Sequence, residues 1–119
     1  MHTKRHWGAY EIIEEFTGIK IKKLTINSGA TLSLQRHQKR DEYWFINNGQ
    51  LLVEILTPNF VPKNYGVVNN GMLKIEKGHW HRFTNIGEKH IHIIEVQMGI
   101  CEEEDIERLT YYVVEQKKN

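Results

Sequence analysis

From residue 19 to residue 98 the hydrophobic positions fall in short runs with a period near two, separated by Gly and Asn. Residues 19–26 form one such run, and in residues 31–37 Leu32 and Leu34 alternate against Ser33, Gln35 and His37, the period of a half-buried strand. The aromatic run Tyr43-Trp44-Phe45-Ile46 then meets Asn47-Asn48-Gly49. Asn and Gly tolerate positive φ, so this spacing predicts a hairpin with residues 51–56 as the return strand. Residues 57–71 carry both prolines with several Asn and Gly, which predicts a long surface loop or an irregular hairpin. Further strands are expected over 72–76, 79–83 and 90–98, punctuated by Lys77-Gly78 and Asn85-Ile86-Gly87. Only residues 102–109 resemble a helix, with the acidic run Glu102-Glu103-Glu104-Asp105 placed to complement its N-terminal dipole. Lys117-Lys118-Asn119 reads as a frayed tail. The pattern predicts an all-β sandwich or barrel with a short C-terminal helix.

Length narrows this to one domain over residues 1–119, enough for a core but not for two ordinary halves. The 16 Lys and Arg against 15 Asp and Glu leave a net charge of +1, so no strong field draws in nucleic acid or an anionic membrane. One cysteine, Cys101, excludes an internal disulfide and a cysteine-based zinc cage, and it suits a reducing compartment. No apolar stretch reaches bilayer length and the N-terminus lacks a signal-peptide core, so the expectation is a cytoplasmic protein without a membrane partner. The seven histidines cluster near turn signals, and that clustering directs attention to metal chemistry.

Gln35 and His37 stand two apart in strand register, so both side chains can point at one ion, and Glu42 follows after a short polar segment. Gly29, five residues, Gln35, one residue, His37, four residues, Glu42, six residues and Gly49 reproduce the intervals of the first cupin motif. Gly78, two residues, His81, three residues and Asn85 reproduce those of the second, although Glu76 stands where proline is usual. The resemblance implies a small double-stranded β-helix, the jelly-roll barrel of cupins, with Gln35, His37, Glu42 and His81 around one divalent ion. An amide oxygen, two imidazoles and a carboxylate suit zinc, manganese, iron or nickel better than calcium, with zinc the leading expectation.

Arg5-His6-Trp7-Gly8-Ala9-Tyr10-Glu11, Leu32-Ser33-Leu34-Gln35-Arg36-His37, Arg40-Asp41-Glu42-Tyr43-Trp44, Trp80-His81-Arg82-Phe83-Thr84-Asn85 and Ile94-Glu95-Val96-Gln97 resemble, in addition, the cupin domain of type II phosphomannose isomerases. That domain is often the C-terminal part of a bifunctional protein with mannose-1-phosphate guanylyltransferase. The chain departs from the family at Gln38 and Lys39, which replace histidines, at Tyr43, which replaces another, and at Thr110-Tyr111-Tyr112. The resemblance implies a metal-dependent isomerase interconverting mannose 6-phosphate and fructose 6-phosphate by moving a proton between C1 and C2. Such a reaction needs an electrophile and a base. Lys39, Glu95 and His79 are the candidates for the base, while Arg5, Arg40 and Arg82 are expected at the phosphate, where the guanidinium fork matches its oxygens. A homodimer is expected from the same resemblance.

Each expectation has a plainer counterpart. The ligand set could belong to a barrel that kept its geometry without a metal, His79 to a solvated rim, and His90 and His92 to the surface; Trp7, Trp44 and Trp80 fit packing better than sugar stacking. Two other functions compete: a non-catalytic module binding a sugar phosphate or nucleotide sugar, and an iron-dependent oxygenase, since fold alone does not settle function.

Overall fold

The structure is a computed structural model that describes residues 2–109. Its strands are β1 (His2–Arg5), β2 (Gly8–Phe16), β3 (Ile19–Ile26), β4 (Leu34–Arg36), β5 (Arg40–Ile46), β6 (Leu51–Leu56), β7 (Pro62–Val68), β8 (Gly71–Ile75), β9 (Trp80–Asn85), β10 (Ile91–Gly99) and β11 (Glu107–Leu109). All pairings are antiparallel, in a six-stranded sheet ordered β1-β2-β3-β10-β5-β8 and a five-stranded sheet ordered β11-β4-β9-β6-β7. From β3 to β10 the chain crosses between the sheets at almost every turn, the winding of a jelly roll. Among the described residues no helix is long and apolar enough to cross a membrane.

The inner faces carry the core and, at one end, the polar groups. On β3 the inward side chains are Lys20, Lys22, Leu24 and Ile26; on β5 they are Arg40, Glu42, Trp44 and Ile46; on β10 they are Ile91, Ile93, Glu95 and Gln97. Along their buried faces β3 and β5 run from polar to apolar and β10 from apolar to polar. Antiparallel register aligns the polar ends: Lys20, Gln97 and Glu42 share one rung, Lys22, Glu95 and Trp44 the next, and Leu24, Ile93 and Ile46 a third. The apolar half closes against Leu51, Val53, Ile55 and Phe83 of the other sheet. A smaller cluster of Leu34, Leu56 and Trp80 seals the flank beneath Leu109.

Several expectations change. Asn47-Asn48-Gly49 does not close a hairpin: β5 and β6 lie in opposite sheets, and the positive φ of 57° at Asn48 turns a corner between them. The same residue types serve a hairpin or a corner, and only the partner strands distinguish the two. Residues 57–71 are the irregular hairpin, with β7 returning along β6 through a register shift near Ile55 and Leu56.

The helix expected over residues 102–109 is absent. Its place is taken by a turn, with Asp105 N–H donating to the Glu102 carbonyl (3.1 Å) and Ile106 N–H to that of Glu104 (2.8 Å), followed by β11 pairing with β4. The physical reason is that Glu103 bonds lysines on β3, Asp105 accepts two backbone N–H groups from residues 38 and 39, and the free edge of β4 offers Glu107–Leu109 a ladder. Thr110-Tyr111-Tyr112 and Lys117-Lys118-Asn119 lie outside the described residues.

The hairpin of β1 and β2 had no clear signal in the sequence, because a register shift between Ile12 and Glu14 breaks the alternation of β2. Its start depends on Gly8. With φ of 150° a side chain there is strained, and an added Cβ would collide with the Thr25 carbonyl oxygen of β3.

Candidate metal centre

The polar ends of the inner faces line a cavity of about 350 Å³. His37, Glu42 and His81 meet within it, all three buried, with ligand atoms within 4.8 Å of one another. They come from both sheets: His81 from β9, Glu42 from β5, and His37 from the link between β4 and β5. Gln35 lies directly across the ladder from His81 and also lines the cavity. Its amide nitrogen donates to the Ser33 carbonyl (3.3 Å) and hydroxyl (3.2 Å), which commits the nitrogen end of the amide.

Backbone carbonyls orient both imidazoles. His37 Nδ1 lies 2.7 Å from the Asp105 carbonyl oxygen and His81 Nδ1 lies 3.1 Å from that of His79. A carbonyl only accepts, so each Nδ1 is the protonated nitrogen and each Nε2 keeps its lone pair for the cavity. Burial lowers the pKa of His37 below its ordinary value and takes that of His81 down to about 4, so both rings are neutral near pH 7. Neutral imidazoles with exposed Nε2 lone pairs are the form that binds a metal.

Glu42 is 1% exposed and anchored on both oxygens. Oε2 accepts from Arg40 Nε (3.0 Å), lies 2.9 Å from Arg40 Nη2 and sits 3.2 Å from His37 Nε2; Oε1 accepts from Trp44 Nε1 at 3.0 Å. Burial opposes its ionisation, but His37, His81, a hydrogen bond from Glu95 and the Arg40 guanidinium outweigh that and hold its pKa at about 2. Glu95 goes the other way: burial first, then the charge and hydrogen bond of Glu42, raise it well above a carboxyl's usual range. The site thus holds two adjacent carboxyls whose pKa values are pushed apart, Glu42 down and Glu95 up, with two neutral imidazoles; His37, His81 and Glu42 are a donor set that fits a divalent transition metal.

The other residues singled out in the sequence divide sharply. Glu95, Arg5 and Arg40 line the cavity, whereas Lys39, His79 and Arg82 do not. Lys39 is exposed, with Nζ 3.5 Å from Glu102. His79 turns toward the Lys77 carbonyl and Glu76. Arg82 is next to an inward residue, so period-two alternation carries it outward to a two-pronged pair with Glu54 (2.7 and 3.0 Å). Arg40 reaches the cavity but is committed to Glu42 and, through Nη1, to the Glu102 carbonyl (3.0 Å). Cavity residues that sequence reasoning passed over include Tyr10, Lys22, Gln97, Glu103 and Arg108. A signal for Lys22 existed: Lys20 and Lys22 share the phase of Leu24 and Ile26.

The sequence pattern of the family described as Mannose-6-phosphate isomerase C-terminal matches residues 1–111. The chain belongs to this family. Its curated relatives include the alginate biosynthesis protein AlgA of Pseudomonas aeruginosa, 35% identical over 106 residues, which are 88% of this chain and 21% of that protein. The xanthan biosynthesis protein XanB of Xanthomonas campestris pv. campestris is 36% identical over 109 residues, 87% of this chain and 21% of that protein. The chain spans about a fifth of the length of these relatives. Among solved structures, the capsular polysaccharide assembling protein CapF from Staphylococcus aureus superposes with a TM-score of 0.81 at 14% identity, over 92% of this chain and 32% of that one. Oxalate decarboxylase from Lactobacillus farciminis gives 0.79 at 18% identity, over 92% and 33%. At these identities the likeness is one of fold, and the fold is the cupin barrel. Gln38, Lys39 and Tyr43 lie outside the cavity lining.

The buried imidazoles predict a pH dependence with a definite sign. His81 titrates near 4 in the folded protein against 6.5 ordinarily, so between those values the unfolded chain takes up a proton that the folded site refuses. Its contribution to stability is present above that window and is lost as the pH falls through it. Glu95 acts oppositely above 4.5, where the folded state is the better proton binder. The expected result is therefore a difference: metal-free wild type loses more stability than His81→Asn between about pH 7 and about pH 4 in urea unfolding. Parallel losses in the two proteins would contradict it.

Proposed function

We propose that the chain is a metal-dependent isomerase that interconverts mannose 6-phosphate and fructose 6-phosphate. The observation that carries this reading is the convergence of His37, His81, Glu42 and Glu95 in one buried cavity, with the two carboxyls' pKa values pushed in opposite directions. Family membership supports the substrate. Gln35, His37, Glu42 and His81 would hold one divalent ion, zinc first among zinc, manganese, iron and nickel. Such an ion supplies Lewis acidity toward adjacent sugar oxygens.

The remaining roles fall to the chain's own side chains. Glu95, the one base candidate of the three that lines the cavity, would take the C2 proton as a carboxylate and return it to C1 as the acid so formed, and its raised pKa makes that carboxylate the stronger base. Arg40 holds one oxygen of Glu42 and Trp44 anchors the other, so the carboxylate is positioned before substrate arrives. Trp44 and Phe83, stacked at a centroid distance of 4.1 Å, close the cavity floor and exclude water from it.

The test is to add mannose 6-phosphate to protein loaded with each metal in turn and follow fructose 6-phosphate. Turnover is expected, and Glu95→Gln, nearly isosteric, is expected to lower kcat by about 100- to 10,000-fold, the usual contribution of a positioned acid or base. Saturable binding without turnover on any of the metals would instead favour the non-catalytic sugar-phosphate module.

A further inference from the structure

Beyond the proposed ligands, Lys22 and Glu103 line the cavity and Lys20 stands behind them, an arrangement that the core does not need. Lys20 and Lys22 are 5% and 6% exposed on the inner face of β3, where burial of an ammonium group is costly unless it is paired. Both reach the same oxygen, Glu103 Oε2, at 3.3 and 2.9 Å. Lys20 also lies 3.7 Å from Glu15, and Lys22 sits 4.3 Å from the Tyr10 ring centroid. The anionic partners are half-exposed, with Glu103 51% and Glu15 54% open to solvent, and Glu103 rides on a turn rather than on a strand. Two cations are thus fixed by the sheet while the carboxylate joining them comes from the periphery. Arg5 and Arg108 add positive charge to the same cavity.

A second, independent observation lies on the same rung. Gln97 is 1% exposed, and its Oε1 has no hydrogen-bond partner among the described residues, although its Nε2 donates to Glu95 at 3.2 Å. An orphaned buried acceptor that lines a cavity is satisfied when a hydroxyl enters. Lys20, Gln97 and Glu42 are register partners across β3, β10 and β5. Two strand spacings separate the outer pair, about 10 Å. Lys20 does not itself line the cavity but shares Glu103 Oε2 with Lys22, which does, so the cavity meets, in order, a cationic group, a hydroxyl acceptor and the Glu42 carboxylate. A hexose 6-phosphate has its phosphate and its C1 and C2 at opposite ends of the carbon chain, with hydroxyls between.

We infer that Lys20 and Lys22 form an anion subsite for a phosphate monoester, and that the Glu103 carboxylate occupies it as a stand-in which the substrate displaces. Gln97 accepts a sugar hydroxyl midway along the same rung. This rests on the isomerase reading for the identity of the phosphate ester, but the subsite itself needs no turnover to be detected.

The probe is inorganic phosphate, followed by the thermal midpoint of the full chain against chloride at matched ionic strength. If Glu103 is a stand-in, Glu103→Gln removes a competitor, and half-maximal stabilisation is expected at about tenfold lower phosphate than in wild type, the scale of a charged hydrogen bond. If Glu103 is merely the structural partner of the lysines, the same variant gains nothing from phosphate beyond wild type, which overturns the inference. Lys22→Met is expected to abolish the phosphate response and, in the turnover assay, to raise KM for mannose 6-phosphate with metal content unchanged. Equal phosphate responses in wild type and Lys22→Met would also overturn the subsite. Phosphate binding without isomerisation would leave the subsite standing and sink the isomerase reading, whereas isomerisation with KM indifferent to Lys22 would do the reverse.

Discussion

Glu42→Gln is expected to abolish metal binding and isomerisation and, despite near-identical shape, to destabilise the fold. The carboxylate is 1% exposed, takes two contacts from Arg40 at 2.9 and 3.0 Å, and lies 3.2 Å from His37 Nε2. An amide keeps only one acceptor oxygen and turns an N–H₂ group toward either the Arg40 guanidinium or the Trp44 indole N–H. Arg40, itself 5% exposed, then becomes a buried cation without its counter-ion. Breaking one side of a buried pair in this way costs about 3–5 kcal/mol. As a proposed direct ligand, Glu42 should also matter more to the metal than an outer-shell partner, whose loss typically weakens affinity roughly 10- to 100-fold. Urea unfolding of the metal-free protein reads the first effect, and elemental analysis after dialysis against zinc or manganese reads the second. A variant with wild-type midpoint and stoichiometric metal would remove Glu42 from both roles.

Phe83→Ala should produce the other large loss. Phe83 is fully buried on β9, stacks on Trp44 at 4.1 Å, and its ring lies 5.9 Å from that of His81. Truncation removes the transfer free energy of the ring and leaves a cavity bounded by two sheets that cannot collapse freely, about 3–5 kcal/mol. Since Trp44 donates to Glu42 and His81 is a proposed ligand, loosening this stack should weaken metal binding as well, by less than Glu42→Gln does. Phe83→Leu, which keeps much of the volume, should fall between wild type and alanine in denaturant midpoint. A loss below about 1 kcal/mol for Phe83→Ala, within the range of ordinary substitutions, would show that the floor of the cavity repacks.

Much of this was legible before any coordinates. Period-two alternation located most of the strands from β3 onward, and residues 51–56 were placed without error because both ends are marked by turn residues. Two intervals along the chain named Gln35, His37, Glu42 and His81, and the structure brings His37, Glu42 and His81 together with Gln35 on the same cavity wall. Spacing could do this because each proposed ligand is fixed to a strand or its immediate end, where position in sequence translates directly into position on a face.

What the sequence left open depended on partners. Residues 19–26 read Ile-Lys-Ile-Lys-Lys-Leu-Thr-Ile, with isoleucines in one phase of the first half and apolar residues in the other phase of the second. Local pattern supports either phase, Ile19 and Ile21 in one and Leu24 and Ile26 in the other; pairing with β10 selects the second and turns Lys20 and Lys22 inward, in line with Glu95 and Gln97. Residues 102–109 have a helix's composition, yet the lysines of β3, the amides after His37 and the free edge of β4 make a better set of partners than a helix's own backbone. Alternation separates Arg40, two residues from Glu42 and inside, from Arg82, next to His81 and outside. The sequence by itself determined most of the strands from β3 onward, the family and the positions proposed as metal ligands, because these are properties of spacing along one chain. The tertiary structure alone decided which polar residues face the cavity, because that depends on which strand lies alongside and in what register.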